Sequence, residues 1–145
     1  MTQAASADWP ARLAPTAGAG FVSGAPRMIL RGEGLAALCL SLAAFSHLGG
    51  SWALFAILFL APDLAMLGYL AGPRIGAVAY NAAHSHLGPA FLAGVGLIAA
   101  SHTALVVALI WSAHIGFDRL LGYGLKYSTA FGDTHLGRIG KAARA

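Results

Sequence analysis

The sequence predicts an all-α integral membrane bundle of four transmembrane helices, with both termini in the cytoplasm. Three observations predict it. Hydrophobic residues make up 58% of the 145 residues and charged residues only 10%, against about 25% charge in an ordinary soluble domain. No Asp, Glu, Lys or Arg occurs from Leu35 to Pro62 or from Ile75 to Phe117, and the second run is 43 residues long, enough for two crossings at about 20 residues each. The basic residues alternate between connections. Arg12, Arg27 and Arg31 flank the first apolar stretch, Arg74 lies in the middle, and Arg119, Lys126, Arg138, Lys141 and Arg144 follow the last. Basic residues mark the cytoplasmic side, so the termini and the middle connection are expected there. The formal charge of +4 then reports topology, not nucleic-acid binding.

Residues 1–27 are rich in Ala, Pro, Gly, Ser and Thr without hydrophobic periodicity and are expected to be a disordered tail. The four-helix domain with a short C-terminal cap is expected over 28–139, with 140–145 as a second tail. The first crossing is placed at about 28–48 and ends at Gly49-Gly50. The second, about 51–71, opens at Ser51-Trp52 and stops at Gly72-Pro73, where Pro73 suits the first turn of a new helix. The third runs about 73–98 and the fourth about 102–122, ended by Gly122 and Gly124. Connections this short make successive helices antiparallel neighbours. Gly68, Gly72 and Gly76 recur at four-residue spacing, and small residues let membrane helices approach closely. Cys39 is the one cysteine, so no internal disulfide forms.

Ionisable groups at membrane depth are costly and point to function. Asp63 follows Pro62 in the second helix. The third helix carries Asn81 and His84 three residues apart, with His86 about 200° from His84. The fourth carries His114 and Asp118 four residues apart, on one helical face, with Arg119 next. At a rise of about 1.5 Å per residue, Asp63, Asn81 and His114 each come about 12 Å in from the cytoplasmic edge, with His84 a turn deeper and Asp118 a turn shallower. Two carboxylates and two imidazoles at one level are a donor set for Zn²⁺, Mn²⁺ or Fe²⁺. The expected ligands are Asp63, His84, His114 and Asp118, supported by Asn81, His86 and Arg119. Each also has a plainer reading. Asp63 can pair with Arg74 or Arg119, Asp118 with Arg119 or Lys126, and the histidines can be hydrogen-bonded glue or a proton path. His47 and His102 sit near the outer interface. In the tail after the fourth helix, Asp133 and His135 can cap the cytoplasmic mouth if the chain folds back.

Gly50-Ser51-Trp52, Phe59-Leu60-Ala61-Pro62-Asp63-Leu64 with Met66-Leu67-Gly68-Tyr69, Gly72-Pro73-Arg74, Tyr80-Asn81 with His84, His114-Ile115-Gly116-Phe117-Asp118-Arg119 through Gly122-Tyr123-Gly124-Leu125-Lys126-Tyr127, and Phe131 with Asp133-Thr134-His135-Leu136-Gly137 form a specific combination. By these stretches the chain resembles a family of small bacterial integral membrane proteins, the domain of unknown function 4260, over roughly residues 28–139. The resemblance implies a compact helical protein of the bacterial cytoplasmic (inner) membrane and supplies no activity. The order Pro62-Asp63, His84/His86, His114/Asp118 also resembles that of bacterial inner-membrane proteins assigned as metal-dependent hydrolases. Ala65 stands where those carry a second acid, and their His-Arg is absent. That second resemblance implies hydrolase activity. In a membrane-embedded metal site the expected nucleophile is a metal-bound water and the expected substrate an amphiphile reaching it from the inner leaflet. The alternative is a non-enzymatic small carrier or membrane assembly protein that uses the polar cluster for protons or helix packing. The expected partner is the lipid bilayer, with no nucleic acid; a homo-oligomer is open.

Overall fold

A computed structural model describes residues 20–139. Most of the expected N-terminal tail (1–19) and all of the C-terminal one (140–145) lie outside the described residues. The fold is all-helical apart from a short hairpin. Helix α1 spans Gly24–His47, α2 Trp52–Leu58, α3 Pro73–Ala83, α4 Leu87–Ile98 and α5 His102–Leu121. A 3-10 segment, Ala61–Ala71, joins α2 to α3, and strands β1 (Asp133–Thr134) and β2 (Gly137–Arg138) pair antiparallel near the C-terminus. Three stretches, Gly24–His47, Trp52–Ala71 and His102–Leu121, are long and apolar enough to cross a membrane.

Helix α1 starts at Gly24, so residues 24–27, expected in the tail, form its first turn. It runs antiparallel to α5 in the most extensive contact of the fold. Arg31 Nε donates to the Leu120 carbonyl at 2.8 Å near one end, and His102 Nε2 meets the Leu48 carbonyl at 2.8 Å near the other. Between them the backbones nearly touch. A Cβ on Gly116 would lie 2.7 Å from Leu38 N and 2.8 Å from Gly34 O, and one on Gly34 would lie 2.9 Å from Gly116 O. No flexible side chain stands there to yield, so glycine at both positions permits this crossing. Farther along the pair, buried Phe45, Val106 and Ile110 form the apolar core, with Leu54, Phe55 and Phe59 packed on it. Leu40, Ile57, Leu70, Phe91 and Ile98 are exposed, as suits side chains that face lipid.

The second and third expected crossings are irregular. Ser51 caps α2 by accepting from Leu54 N–H. The α-helical bonding stops at Leu58 and resumes as 3-10 from Ala61, where Pro62 removes an N–H donor. The third stretch, expected as one helix over 73–98, is two helices separated at His84-Ser85-His86. Two carbonyls at the break are bonded by side chains of α5. Trp111 Nε1 donates to Ala83 O at 2.6 Å and Arg119 Nη2 to His84 O at 3.0 Å. Such pairing is what backbone groups freed by a break among apolar segments require. Hydropathy cannot show this, because the apolar pattern runs through the break unchanged.

The 3-10 segment and α3 form a close hairpin. A Cβ on Gly68 would meet Ala79 Cβ at 2.9 Å and Gly76 Cα at 3.4 Å, as the four-residue spacing suggested. Gly72 differs. Nothing lies within 4 Å of its would-be Cβ, and its φ is +111°, so it is needed for its backbone conformation and not for packing. Gly122 ends α5 in the left-handed region, with its own N–H on Arg119 O and that of Tyr123 on Asp118 O.

The chain then folds back. Asn81 holds Lys126 at both backbone groups, Nδ2 to Lys126 O at 2.9 Å and Oδ1 from Lys126 N at 2.7 Å. His135 Nδ1 accepts from Leu125 N at 2.8 Å. Asp133 pairs with Arg138 at 3.3 Å and accepts from Thr129. Both expected capping residues thus hold the returning segment together.

Candidate metal centre

Four side chains from three segments converge between α5, α3 and the 3-10 segment. One donor atom each from Asp63, His84, His114 and Asp118 lies within 4.8 Å of all the others. His84 is 1% and His114 2% exposed, while the Asp118 and Asp63 side chains are 13% and 32% exposed, so the cluster is closed on the imidazole side and open at Asp63.

Three local features build this geometry. His114 and Asp118 are one helical turn apart on α5 and present one edge of the site. His84 ends α3, where its Nδ1 lies 3.0 Å from Tyr80 O. A carbonyl only accepts, so Nδ1 carries the proton and the Nε2 lone pair faces the cluster. Its ring stacks on that of Tyr80, centroids 3.7 Å apart, and the Tyr80 hydroxyl donates to Asp118 Oδ2 at 3.1 Å. Asp63 lies in the 3-10 segment. At about 2.0 Å per residue that segment sets Asp63 roughly 16 Å from Ala71 instead of 12 Å, level with His84 at about 16 Å from Pro73.

The spacing suits a single ion. His84 Nε2 is 3.1 Å from His114 Nε2, 3.3 Å from Asp63 Oδ1 and 3.5 Å from Asp118 Oδ2. His114 Nε2 is 3.6 Å from Asp63 Oδ1 and 3.9 Å from Asp118 Oδ2. Tetrahedral ligands about 2.1 Å from a metal stand about 3.4 Å from one another. Among the described residues His114 Nδ1 has no partner, and its ring packs edge-on against Phe59 with centroids 5.4 Å apart.

The expected supporting residues divide. Arg119 reaches the site through the backbone, donating to His84 O and to Tyr123 O. Asn81 does not reach it, since both ends of its amide are used on Lys126. His86 is exposed, beyond the break, beside Glu33 and Arg119. Among the described residues Asp63 makes no ion pair with Arg74 or Arg119 and Asp118 none with Arg119 or Lys126; both carboxylates face the histidines.

Two participants were not among the expected site residues. Tyr80 is four residues before His84, so shared helical face could have found it; Trp111 gave no signal, because it acts through a helix break. Lys126, expected as an ion-pair partner of Asp118, is brought beside the cluster by a loop and makes no close ion pair with it among the described residues. The Lys126 side chain is buried, its Nζ donating to Phe131 O at 3.0 Å and lying 4.6 Å from the Tyr80 ring centre. Burial pushes its ammonium below the usual lysine range, against the opposing pull of Asp118 and Asp63. Burial, then the Arg119 charge, likewise lowers His135.

The fold and site together define a small helical protein with membrane-length apolar segments and a buried Asp/His cluster. Residues 27–139 match the family described as a domain of unknown function (DUF4260), and the chain belongs to that family. No curated protein and no solved structure matches it, so the likeness to metal-dependent hydrolases gains no support from these comparisons.

Proposed function

We propose that this chain is a multi-pass protein of the bacterial inner membrane whose function depends on a divalent metal ion, Zn²⁺, Mn²⁺ or Fe²⁺, held by Asp63, His84, His114 and Asp118. In this reading the chain crosses four times, α3 and α4 together making the third passage, with both termini cytoplasmic. The antiparallel pairing of α1 with α5 and the placement of Lys and Arg support that orientation. Reporter fusions at the C-terminus and after Gly72 are expected on the cytoplasmic side, and those after Gly50 and Ala100 on the outer side. A periplasmic C-terminus overturns the orientation.

The observation that carries the metal reading is the convergence of four donor atoms from separate segments, with the His84 Nε2 lone pair turned toward the other three. A bound divalent ion supplies Lewis acidity and makes water acidic enough to ionise near neutral pH, which is the chemistry of hydrolysis. Asp63, the open member, faces the side from which a substrate enters, and an amphiphile from the inner leaflet is the substrate class that fits a site at this depth. A second reading also has an observation in its favour. Lys126 and Arg119 already offset the charges of Asp63 and Asp118, and the 3.1 Å contact between His84 and His114 is a hydrogen-bonding distance, so the cluster can also pass protons in a carrier.

Elemental analysis of protein purified without chelator separates the two. About one ion per chain is expected. Asp63→Asn, His84→Ala, His114→Ala and Asp118→Asn should each weaken metal binding by at least the roughly 10–100-fold typical of lost supporting groups, and His102→Ala should leave it unchanged. Uptake should weaken in acid, since metal ligands must be unprotonated to bind. Protein with no bound metal, and no gain in melting temperature on metal addition, overturns the metal reading.

A further inference from the structure

A cavity of about 300 Å³ opens directly from the cluster, with Asp63, Asp118, Tyr80 and Lys126 in its wall. Its far side is apolar, made by Met66, Phe131 and Ile139. The returning C-terminal segment therefore does more than cover the bundle, because it brings an ammonium group to the edge of the carboxylate pair. Lys126 is 5% exposed, and of its three N–H donors one is used, on Phe131 O. Among the described residues no carboxylate oxygen comes within 4.0 Å of it. Its ammonium lies over the rings of Phe131, Tyr80 and Tyr69, at 3.4, 4.6 and 5.9 Å from their centroids; these contacts offset part of the cost of a buried cation, and an anion would offset the rest. The backbone of Lys126 is clamped by Asn81 at 2.7 and 2.9 Å, which fixes the point from which its side chain enters the cavity.

Charge counting gives the ligand. Without a metal, the two carboxylates are balanced by Lys126 and by Arg119, which is fixed on His84 O. A divalent ion at the four donors leaves the region two positive charges in excess, in surroundings that screen poorly. We propose that this cavity binds a phosphate dianion, free or as the phosphate monoester of a lipid headgroup, together with the metal. Lys126 Nζ donates to one phosphate oxygen, and the open side of the cluster at Asp63 brings another toward the ion. Met66, Phe131 and Ile139 line the path of any apolar remainder. The proposal rests on the metal reading and adds to it a ligand class and a recognition residue, Lys126, that ligates no metal.

The test uses the full chain in detergent, loaded with Mn²⁺, with metal content measured by elemental analysis and anion binding by titration calorimetry. The probes are inorganic phosphate, dihexanoyl phosphatidic acid and, as control, dihexanoyl phosphatidylcholine. Phosphate should bind the loaded protein at least about tenfold more tightly than the metal-free protein, and by linkage should raise Mn²⁺ affinity by the same factor. Lys126→Met should keep its Mn²⁺ and lose the phosphate response, and Lys126→Arg should keep both. Should Lys126→Met fail to fold, the reciprocal effect in the unaltered protein still decides the matter. Tighter binding of phosphatidic acid than of inorganic phosphate identifies a lipid ligand; equal or weaker binding identifies a soluble phosphate. A full complement of Mn²⁺ with no response to millimolar phosphate, or phosphatidylcholine binding as well as phosphatidic acid, overturns the anion site alone. Failure to take up Mn²⁺ at all overturns both readings.

Discussion

The α1–α5 pair and the α2–α4 region solve opposite problems. Helices α1 and α5 are unbroken, satisfy their own backbone bonds and pack through Gly34 and Gly116 until their main chains nearly touch. The other half is interrupted twice, by the 3-10 segment after Leu58 and by the break at 84–86. Regular helices give rigidity without needing polar partners. Irregular ones need partners, and here α5 supplies them through Trp111 and Arg119. One face of α5 holds the frame and another holds His114 and Asp118, so the rigid half fixes the coordinates of the irregular half. The pair teaches that the polar cluster depends on local departures from helix geometry: the 3-10 rise carries Asp63 to the depth of His84, and the break frees His84 to turn its ring inward.

The comparison can be broken most severely at its rigid side. Gly116→Leu forces α1 and α5 apart at backbone atoms that cannot yield. Overpacking of this kind costs about 1–3 kcal/mol or more, and the loss of melting temperature should exceed that of Cys39→Leu, an exposed site on the same helix pair. Equal losses would show that close approach of the two helices does not matter. The smaller effect is at the junction of the halves. Trp111→Phe strands Ala83 O, at a cost of about 1–3 kcal/mol, and also gives up the indole contact at Gly88. Because that carbonyl is adjacent to His84, the variant should also weaken metal binding, where Gly116→Leu in its folded fraction should not. A Trp111→Phe protein with unaltered stability and metal affinity would mean the break holds without α5.

The break itself was not legible in the sequence. Hydropathy over 73–98 is continuous, and a histidine pair around a serine reads as polar residues within one helix. Asn81, placed at the same depth as Asp63 by counting 1.5 Å steps, turned instead to Lys126, because the returning segment offers it two backbone partners at once. By contrast, Gly122 was legible as a helix end, since only glycine readily takes the left-handed conformation found there, with φ +95°.

Composition and pattern by themselves determined the helical class and the apolar stretches, and offered the convergence of Asp63, His84, His114 and Asp118 as one of two readings, because carboxylates buried among apolar helices need partners and either basic residues or the histidines could supply them. The DUF4260 family was equally legible in the motifs. Tertiary structure alone decided how those residues meet. The distances of 3.1–3.9 Å from the two imidazole nitrogens to the other donors, the tautomer of His84 set by Tyr80 O, and the arrival of Lys126 beside Asp63 and Asp118 all follow from contacts between segments far apart in the chain. Periodicity reports which face a residue occupies on its own helix. It carries no information on how far a 3-10 segment lifts that face, or on which loop returns to cover it.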